Sequence, residues 1–176
     1  RNDIPLKVKG KAVFGIDADV PGMVYASIER CPVLGSKLVS FDDSDTLKIK
    51  GVMQVVKTDR IFFKNHYMGL AVIAENYWAA LQGRKVLKVT WDNQGLDKFN
   101  SKDYEQSLRE LSKTEGLTAH KDGDFDLGYA NAAKKIEALY ETPFVSHSPM
   151  EPMNCTAEWK DGKIEVWVSS QGAAWT

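Results

Sequence analysis

The stretch HSPMEPMNC (147–155) groups the side chains of this sequence that are best suited to chemistry. His147, Glu151 and Cys155 follow one another at intervals of four residues, so a helix would place all three on one face, where they could bind zinc or iron. The two prolines inside the stretch oppose that helix, because an interior proline removes an amide donor and clashes with the preceding turn. We therefore expect a kinked, turn-like loop whose His147 and Glu151 bond to backbone groups. A small metal-binding protein that uses the three residues stays as an alternative hypothesis.

The other candidate motifs are weaker. The sequence has two cysteines, Cys31 and Cys155, with no zinc-ligand spacing around either. We interpret both as small buried apolar residues and leave one disulfide between them as an open alternative. GKAVFG is not a phosphate-binding or dinucleotide fingerprint. GDFDLG (123–128) lacks the twelve-residue pattern of a calcium loop and predicts the first turn of a helix instead. No self-contained active site follows from these motifs.

Composition narrows the class of protein. Of 176 residues 43% are apolar, and 23 Lys and Arg stand against 24 Asp and Glu, for a formal net charge of -1. This balance gives no electrostatic argument for binding nucleic acid or an anionic membrane. No apolar run approaches the ~20 residues of a membrane-spanning helix. The sequence starts without Met or a signal peptide, which favours a piece of a longer polypeptide and leaves the compartment open.

The first half predicts strands around one short helix. MGLAVIAE (68–75) is almost continuously apolar, which is typical of a central strand buried on both faces. Asn76 is the predicted N-cap of a helix that carries Trp78 and Leu81, and KVLKVTW then returns as a strand. This succession predicts helices lying over a mixed sheet. Three further strands are predicted from β-branched or alternating patterns: 23–31, 36–42 and 51–58.

The second half predicts one helix and then β-structure. Ser101 is the predicted cap of an amphipathic helix that carries Tyr104, Leu108 and Leu111 and stops at Gly116. KKIEALYE (134–141) is a predicted strand. NCTAEWKDGKIEVWVSS predicts a hairpin, because the Asp-Gly pair within it supplies the positive φ angles of a type I′ turn.

Taken together, these landmarks resemble one family. GKAVFGIDADVPGMVYASIERCPVLGSKLVSFD, GVMQVV and GLAVIAENYWAALQGRKVLKVTWD resemble the α/β hammerhead domain of the xanthine dehydrogenase and aldehyde oxidase family of molybdenum hydroxylases. ALYETPFVSHSPMEPMNCTAEW, with GKIEVWVSSQ, resembles the start of that family's molybdenum-cofactor domain. The motifs RCPV and MEPMNCTA most resemble the beta subunit of isoquinoline 1-oxidoreductase-like enzymes. The resemblance covers nearly the whole sequence except the connector near 93–120.

The resemblance implies a fold and its boundaries. It implies an α+β chain with a hammerhead domain over 1–92, a mixed sheet with covering helices. A connector with one amphipathic helix follows over 93–133, and 134–176 is the truncated, β-rich start of the molybdopterin-binding domain.

The resemblance also implies a function for the parent protein. It would hydroxylate N-heteroaromatic compounds or oxidise aldehydes with water-derived oxygen. It would use molybdopterin cytosine dinucleotide and a separate small [2Fe-2S] subunit, and many such relatives work in the periplasm. Molybdenum is held by the pterin dithiolene, so 147–155 need not bind metal, and Gln171, at the end of VSSQ, would donate a hydrogen bond beside it. The base glutamate and a GGxFG loop lie downstream in relatives, so this chain alone is expected to be inactive and to hold no cofactor or metal. The alternative from another class is a non-catalytic interaction module.

Overall fold

The structure, a computed structural model, describes residues 2–62, 65–170 and 172. The chain divides into two compact units, one formed by Arg1–Phe99 with Pro152–Thr176 and the other by Asn100–Glu151. None of the helices in the described part of the chain combines the length and the apolar character that a membrane-spanning helix needs. The first unit combines helices with runs of consecutive strands, so the predicted α+β class is confirmed.

The first unit contains two helices and seven strands among its described residues. In chain order they are α1 (Ile4–Val8), β1 (Tyr25–Arg30), β2 (Lys37–Asp42), β3 (Val52–Phe62), β4 (Asn65–Ala74), α2 (Tyr77–Val86), β5 (Lys88–Asp92), β6 (Cys155–Lys160) and β7 (Lys163–Val168). The second unit contains two helices, α3 (Ser101–Leu111) and α4 (Phe125–Asn131).

Strand β4 is the middle strand of a three-stranded sheet in the order β1-β4-β3. Both neighbours pair with it in antiparallel register. Its consecutive residues Leu70, Ala71 and Val72 are all buried, so both faces of the strand are covered. This confirms the central strand predicted from the apolar run, since a strand buried on both sides has no polar alternation.

Helix α2 covers this sheet with its smallest side chains. The Asn76 side chain accepts a hydrogen bond from the Ala79 amide at 2.9 Å, which confirms the predicted N-cap. Ala79, Ala80 and Gly83 are the buried residues of the helix, whereas Trp78 is 68% exposed. Helix α2 packs so closely on the sheet that only small residues can face it. A Cβ added to Gly83 would lie 2.9 Å from methyl groups of Val52 and Val72.

Strand β5 joins a second sheet rather than the first. It pairs antiparallel with β2, with a bulge between Leu38 and Ser40. The described strand pairs are antiparallel throughout, which differs from the predicted mixed sheet. The reason is that β5 leaves α2 toward β2 and does not return beside β4 as a parallel strand would. The amide of Leu38 donates to Met68 Sδ at 3.4 Å and thereby connects the two sheets.

In the second unit the helices form where the sequence predicts them, with different ends. The N-cap of α3 is Asn100, whose side chain accepts from the Lys102 amide, and not the predicted Ser101. The helix ends at Leu111, before the predicted stop at Gly116. Asp124 caps α4 by accepting from the Leu127 amide at 3.0 Å, which confirms that GDFDLG begins a helix.

The predicted strand over 134–141 does not form in the described residues. Ile136, Leu139 and Tyr140 are 77%, 74% and 89% exposed. A strand needs a partner to satisfy its backbone amides and carbonyls. This segment has suitable side chains but no strand beside it in the described structure, so the prediction was wrong here.

Candidate functional site

The loop over 147–155 is irregular, as the two prolines predict. Residues 142–154 contain no helix or strand, with a bend at Met150 and Glu151. Ser148 has a φ of 33°, an uncommon left-handed conformation for a residue other than glycine. The helical spacing that would have aligned His147, Glu151 and Cys155 therefore does not exist.

The three candidate ligands are not gathered into a metal site. His147 and Glu151 belong to the second unit, and Cys155 starts β6 in the first unit. Among the residues that the structure describes, no three His, Cys, Asp or Glu side chains are placed to hold a metal ion. The geometry gives the alternative of a three-ligand zinc or iron site no support.

Asn154 is a residue of the loop that the sequence reasoning did not single out. Its Nδ2 donates to the Pro152 carbonyl at 2.7 Å, which closes a tight turn just before β6. Its Oδ1 is buried and, within the described structure, has no hydrogen-bond partner. A Cβ added to Gly15 would lie 2.6 Å from this oxygen, so a larger residue at position 15 would force the Asn154 side chain to shift. The sequence feature connected with Asn154 is Gly15, the second glycine of GKAVFG. Its importance could not be recognised from the sequence, because only the fold places it beside Asn154.

The hairpin that follows the loop has the predicted turn. Asp161 and Gly162 have φ angles of 50° and 75°, and Lys160 pairs with Lys163 across the two-residue loop. Two positive φ angles at the central positions are the signature of a type I′ turn. The predicted hairpin is therefore confirmed, with β6 and β7 as its strands.

Gln171, the residue predicted to contact the cofactor, lies outside the described residues. The described chain reaches its neighbourhood along β7, which ends at Val168. Ser169 and Ser170 follow without regular structure. The placement of the Gln171 side chain therefore stays a prediction.

The clear electrostatic perturbations lie away from this loop. In the first unit, hydrogen bonds from Lys48 and Lys88 lower the pKa of Asp45 to about 2. In the second unit, the Arg109 guanidinium hydrogen-bonds to both Glu141 oxygens, at 2.5 and 3.1 Å, and lowers the pKa of that carboxyl. These exposed ion pairs have structural explanations and do not mark an acid–base site.

The donor chemistry of Gln171 fits the role that the resemblance assigns to this residue. The described loop offers no converging set of side chains for a bare ion. Gln171, the side chain that the resemblance assigns to the metal, is a neutral amide that donates without taking up protons.

Residues 109–176 match a family described as "Molybdopterin cofactor-binding domain". The chain is 34% identical over 173 residues to "Membrane-bound aldehyde dehydrogenase [pyrroloquinoline-quinone]" of Gluconacetobacter polyoxogenes, covering 96% of the chain. It is 30% identical over 181 residues to the beta subunit of isoquinoline 1-oxidoreductase of Brevundimonas diminuta, covering 97% of the chain. The chain spans 22% of the length of each of these relatives.

One solved structure supports the fold. The crystal structure of quinoline 2-oxidoreductase from Pseudomonas putida 86 covers 97% of this chain with a TM-score of 0.61, at 15% sequence identity. The chain covers 26% of that structure. At this identity the likeness concerns the fold alone.

The similarities extend over the loop, the hairpin and the helix-covered sheet. The matched family covers the hairpin, and the two relatives extend over the sheets as well. These similarities support a fragment of a molybdenum hydroxylase family protein, in which residues 109–176 match the molybdopterin cofactor-binding domain.

Proposed function

We propose that this chain is part of the large subunit of a molybdenum-dependent oxidoreductase that hydroxylates N-heteroaromatic compounds or oxidises aldehydes. The observation that carries the proposal is the cofactor-binding family matched over 109–176. Two relatives are named for isoquinoline and nicotinate, which are N-heteroaromatic compounds, and one is named for aldehydes. Their names therefore cover both of the proposed substrate classes. The proposed division is a hammerhead domain over 1–92, a connector over 93–133 and the start of the cofactor domain over 134–176.

The proposed cofactor is the cytosine dinucleotide form of molybdopterin. When bound, it supplies the redox chemistry that moves two electrons from substrate to metal and delivers water-derived oxygen. The role of this chain's own residues is positional. Gln171 donates an amide hydrogen bond at the metal, and because the amide is neutral it holds this orientation across the working pH range.

The proposed partner is a small [2Fe-2S] subunit that accepts the electrons. Three relatives are each named as a subunit of a larger enzyme. These enzymes are isoquinoline 1-oxidoreductase, nicotinate dehydrogenase and an aldehyde oxidoreductase. Such names support an enzyme of more than one chain. Purification of the parent with a co-expressed iron–sulfur protein tests this, and a parent that accepts substrate electrons and passes them to a dye without any second subunit contradicts it.

A second candidate cofactor follows from one relative's name. The aldehyde dehydrogenase of G. polyoxogenes is named for pyrroloquinoline quinone, whereas the aldehyde oxidoreductase of Escherichia coli is named for molybdenum. Elemental analysis and organic-cofactor extraction of the purified parent separate the two. We expect about one molybdenum and one pterin per large subunit. Stoichiometric quinone without molybdenum would overturn the proposal.

The role of Gln171 is tested in the full-length enzyme with the variant Gln171→Ala. Turnover per molybdenum atom should fall about 10- to 1000-fold, the loss expected when one preorganised donor at a reacting centre is removed. The effect should lie in the chemical step, with cofactor content only modestly reduced.

The matched control is His147→Ala, in the irregular loop. This variant should lower stability or cofactor loading, while each loaded site turns over near normally. Equal turnover per molybdenum in Gln171→Ala and the unaltered enzyme would show that the glutamine is structural only.

A further inference from the structure

The β6–β7 hairpin places its apolar side chains on one face. In the antiparallel register, Cys155, Ala157 and Trp159 stand directly opposite Val168, Val166 and Ile164. Residues opposite each other across an antiparallel pair point to the same side. The other face carries the pairs Thr156–Trp167, Glu158–Glu165 and Lys160–Lys163. We call the first of these the apolar face and the second the polar face.

The apolar face is less well covered than the polar face, although Lys160, Lys163 and Glu165 on the polar face are also exposed. On the apolar face Trp159, Ile164 and Val166 are 71%, 60% and 44% exposed. On the polar face Thr156 and Glu158 are half-buried. Strand β6 contacts the 3₁₀ turn Gly15–Asp17, and Asn154, just before the strand, lies against Gly15. The hairpin therefore packs on its own unit while most of its apolar face remains in contact with solvent.

A hairpin with this arrangement is unfavourable unless further chain completes it. An isolated two-stranded hairpin is marginal in water, and a stable sheet needs a third strand or a packed apolar face. Within the described residues β6 and β7 pair only with each other. Exposed Trp, Ile and Val side chains in one contiguous patch mark a surface that another apolar surface covers.

We propose that the apolar face is an internal packing face, covered by apolar residues of the cofactor-binding domain that lie outside these 176 residues in the same large-subunit polypeptide. The chain spans 22% of the length of its relatives, so most of a relative's polypeptide is available to cover it. The matched cofactor-binding family includes both strands. The face has no charged residue, which fits a core contact better than a contact with a separate soluble subunit. The inference rests on the proposed large-subunit parent.

Cys155 reports on this face, because it lies on the covered side and is exposed in this chain. Maleimide labelling, followed peptide by peptide with mass spectrometry, compares the 176-residue chain with the native parent large subunit purified without its partner. Labelling of Cys155 should be at least about tenfold slower in the parent, since reaction then requires local opening of the contact. Equal rates would overturn the inference. Protection of Cys155 that appears only when the iron–sulfur subunit is added would also overturn it. Protection of Cys155 in the 176-residue chain that increases with protein concentration would overturn it too, because it would indicate contact with a second copy.

Two substitutions give an independent readout. Val166→Lys introduces a charge on the apolar face, whereas Glu165→Lys, at the neighbouring residue, only reverses the sign of a charge already present on the polar face. In the parent, Val166→Lys should lower Tm or abolish soluble protein, while Glu165→Lys should not; in the 176-residue chain both should leave Tm nearly unchanged. Equal effects of the two variants in the parent would contradict the inference. The labelling result does not depend on molybdenum content, so a parent without molybdenum but with protected Cys155 would refute only the proposed function.

Discussion

Residues 25–92 and residues 100–151 differ in how much of their own apolar surface they cover. In the first region β4 and α2 close a small core, in which Leu70, Val72 and Ala80 have no exposed surface. In the second region Leu117 is fully exposed and Val145 is 80% exposed. Both regions form helices at their predicted places. Sequence signals within a few residues are therefore sufficient to form a helix. Burial of apolar side chains also needs other packed elements, which are present in residues 25–92 and not among the described residues 100–151.

The hairpin is intermediate between these two regions. Its turn and register are as regular as those of the sheets, and its strand β6 contacts the 3₁₀ turn Gly15–Asp17 of the same unit. Its apolar face is nonetheless exposed like the side chains of 100–151. The change in the free energy of unfolding caused by a substitution should therefore depend more on the region that contains the residue than on the type of substitution.

The largest difference is expected for an introduced charge. Val72→Asp places an unpaired carboxylate at a fully buried position and should destabilise the chain by roughly 4 kcal/mol or more. The control Leu139→Asp, at a position 74% exposed, should change the free energy of unfolding by less than about 0.5 kcal/mol. Urea unfolding of both variants measures this. A Val72→Asp variant as stable as its control would mean that β4 is not central.

The next difference is a reversal of sign for one substitution. Gly128→Ala in α4 meets no atom within 4 Å and should stabilise by up to about 1 kcal/mol through helix propensity. Gly83→Ala in α2 should instead destabilise by about 1–2 kcal/mol, because its methyl group would crowd Val52 and Val72. Thermal unfolding of the two variants gives both signs. Stabilisation by Gly83→Ala would show that α2 is not tightly packed on the sheet.

A smaller difference is expected for two hydroxyl groups in the same kind of hydrogen bond. Thr46 Oγ1 donates to the Gly83 carbonyl at 3.0 Å and is buried, and Thr114 Oγ1 donates to the Leu111 carbonyl at 2.8 Å and is exposed. Thr46→Val should cost about 1 kcal/mol, because the buried carbonyl loses its donor. Thr114→Val should cost almost nothing, since water replaces the hydroxyl. Equal losses in chemical denaturation would count against the role of burial.

The smallest effect is expected for the exposed carboxylate Asp45, which hydrogen-bonds Lys48 and Lys88 at 2.8 Å each. Its folded pKa of about 2 lies below the ordinary 3.8, so its contribution is present above pH 3.8 and is lost as the pH falls toward 2. Asp45→Asn should therefore lower Tm slightly at neutral pH and by much less at pH 2, where about half of the folded carboxyl is protonated. Salt should reduce the difference by screening. A difference in Tm that is as large at pH 2 as at neutral pH, measured by calorimetry, would contradict this origin.

The positions of most helices and strands follow from the sequence, because their signals act over a few residues. Asn76 and Asp124 are caps that bond amides three residues ahead. The Asp161-Gly162 turn needs only its own two φ angles. The ends of α3 were less well predicted, since Asn100 and Ser101 are both good caps and only the actual backbone distinguishes them.

The candidate site was only partly predictable. The prolines rule out a helix over 147–155, and the structure agrees. The contact of Asn154 with Gly15 joins residues 139 positions apart in sequence, so neither residue alone indicated it. The role of Gln171 came from the family resemblance and stays a proposal.

By itself, the sequence determined where the caps, the tight turn and the central apolar strand lie, because each depends on neighbouring residues and their intrinsic conformational preferences. Only the tertiary structure decided that α2 buries its alanines and Gly83 while Trp78 faces solvent. Only the tertiary structure likewise placed β5 beside β2, and left 134–141 without a strand. These outcomes depend on which surfaces meet, and the free energy of burial and strand pairing belongs to both surfaces together.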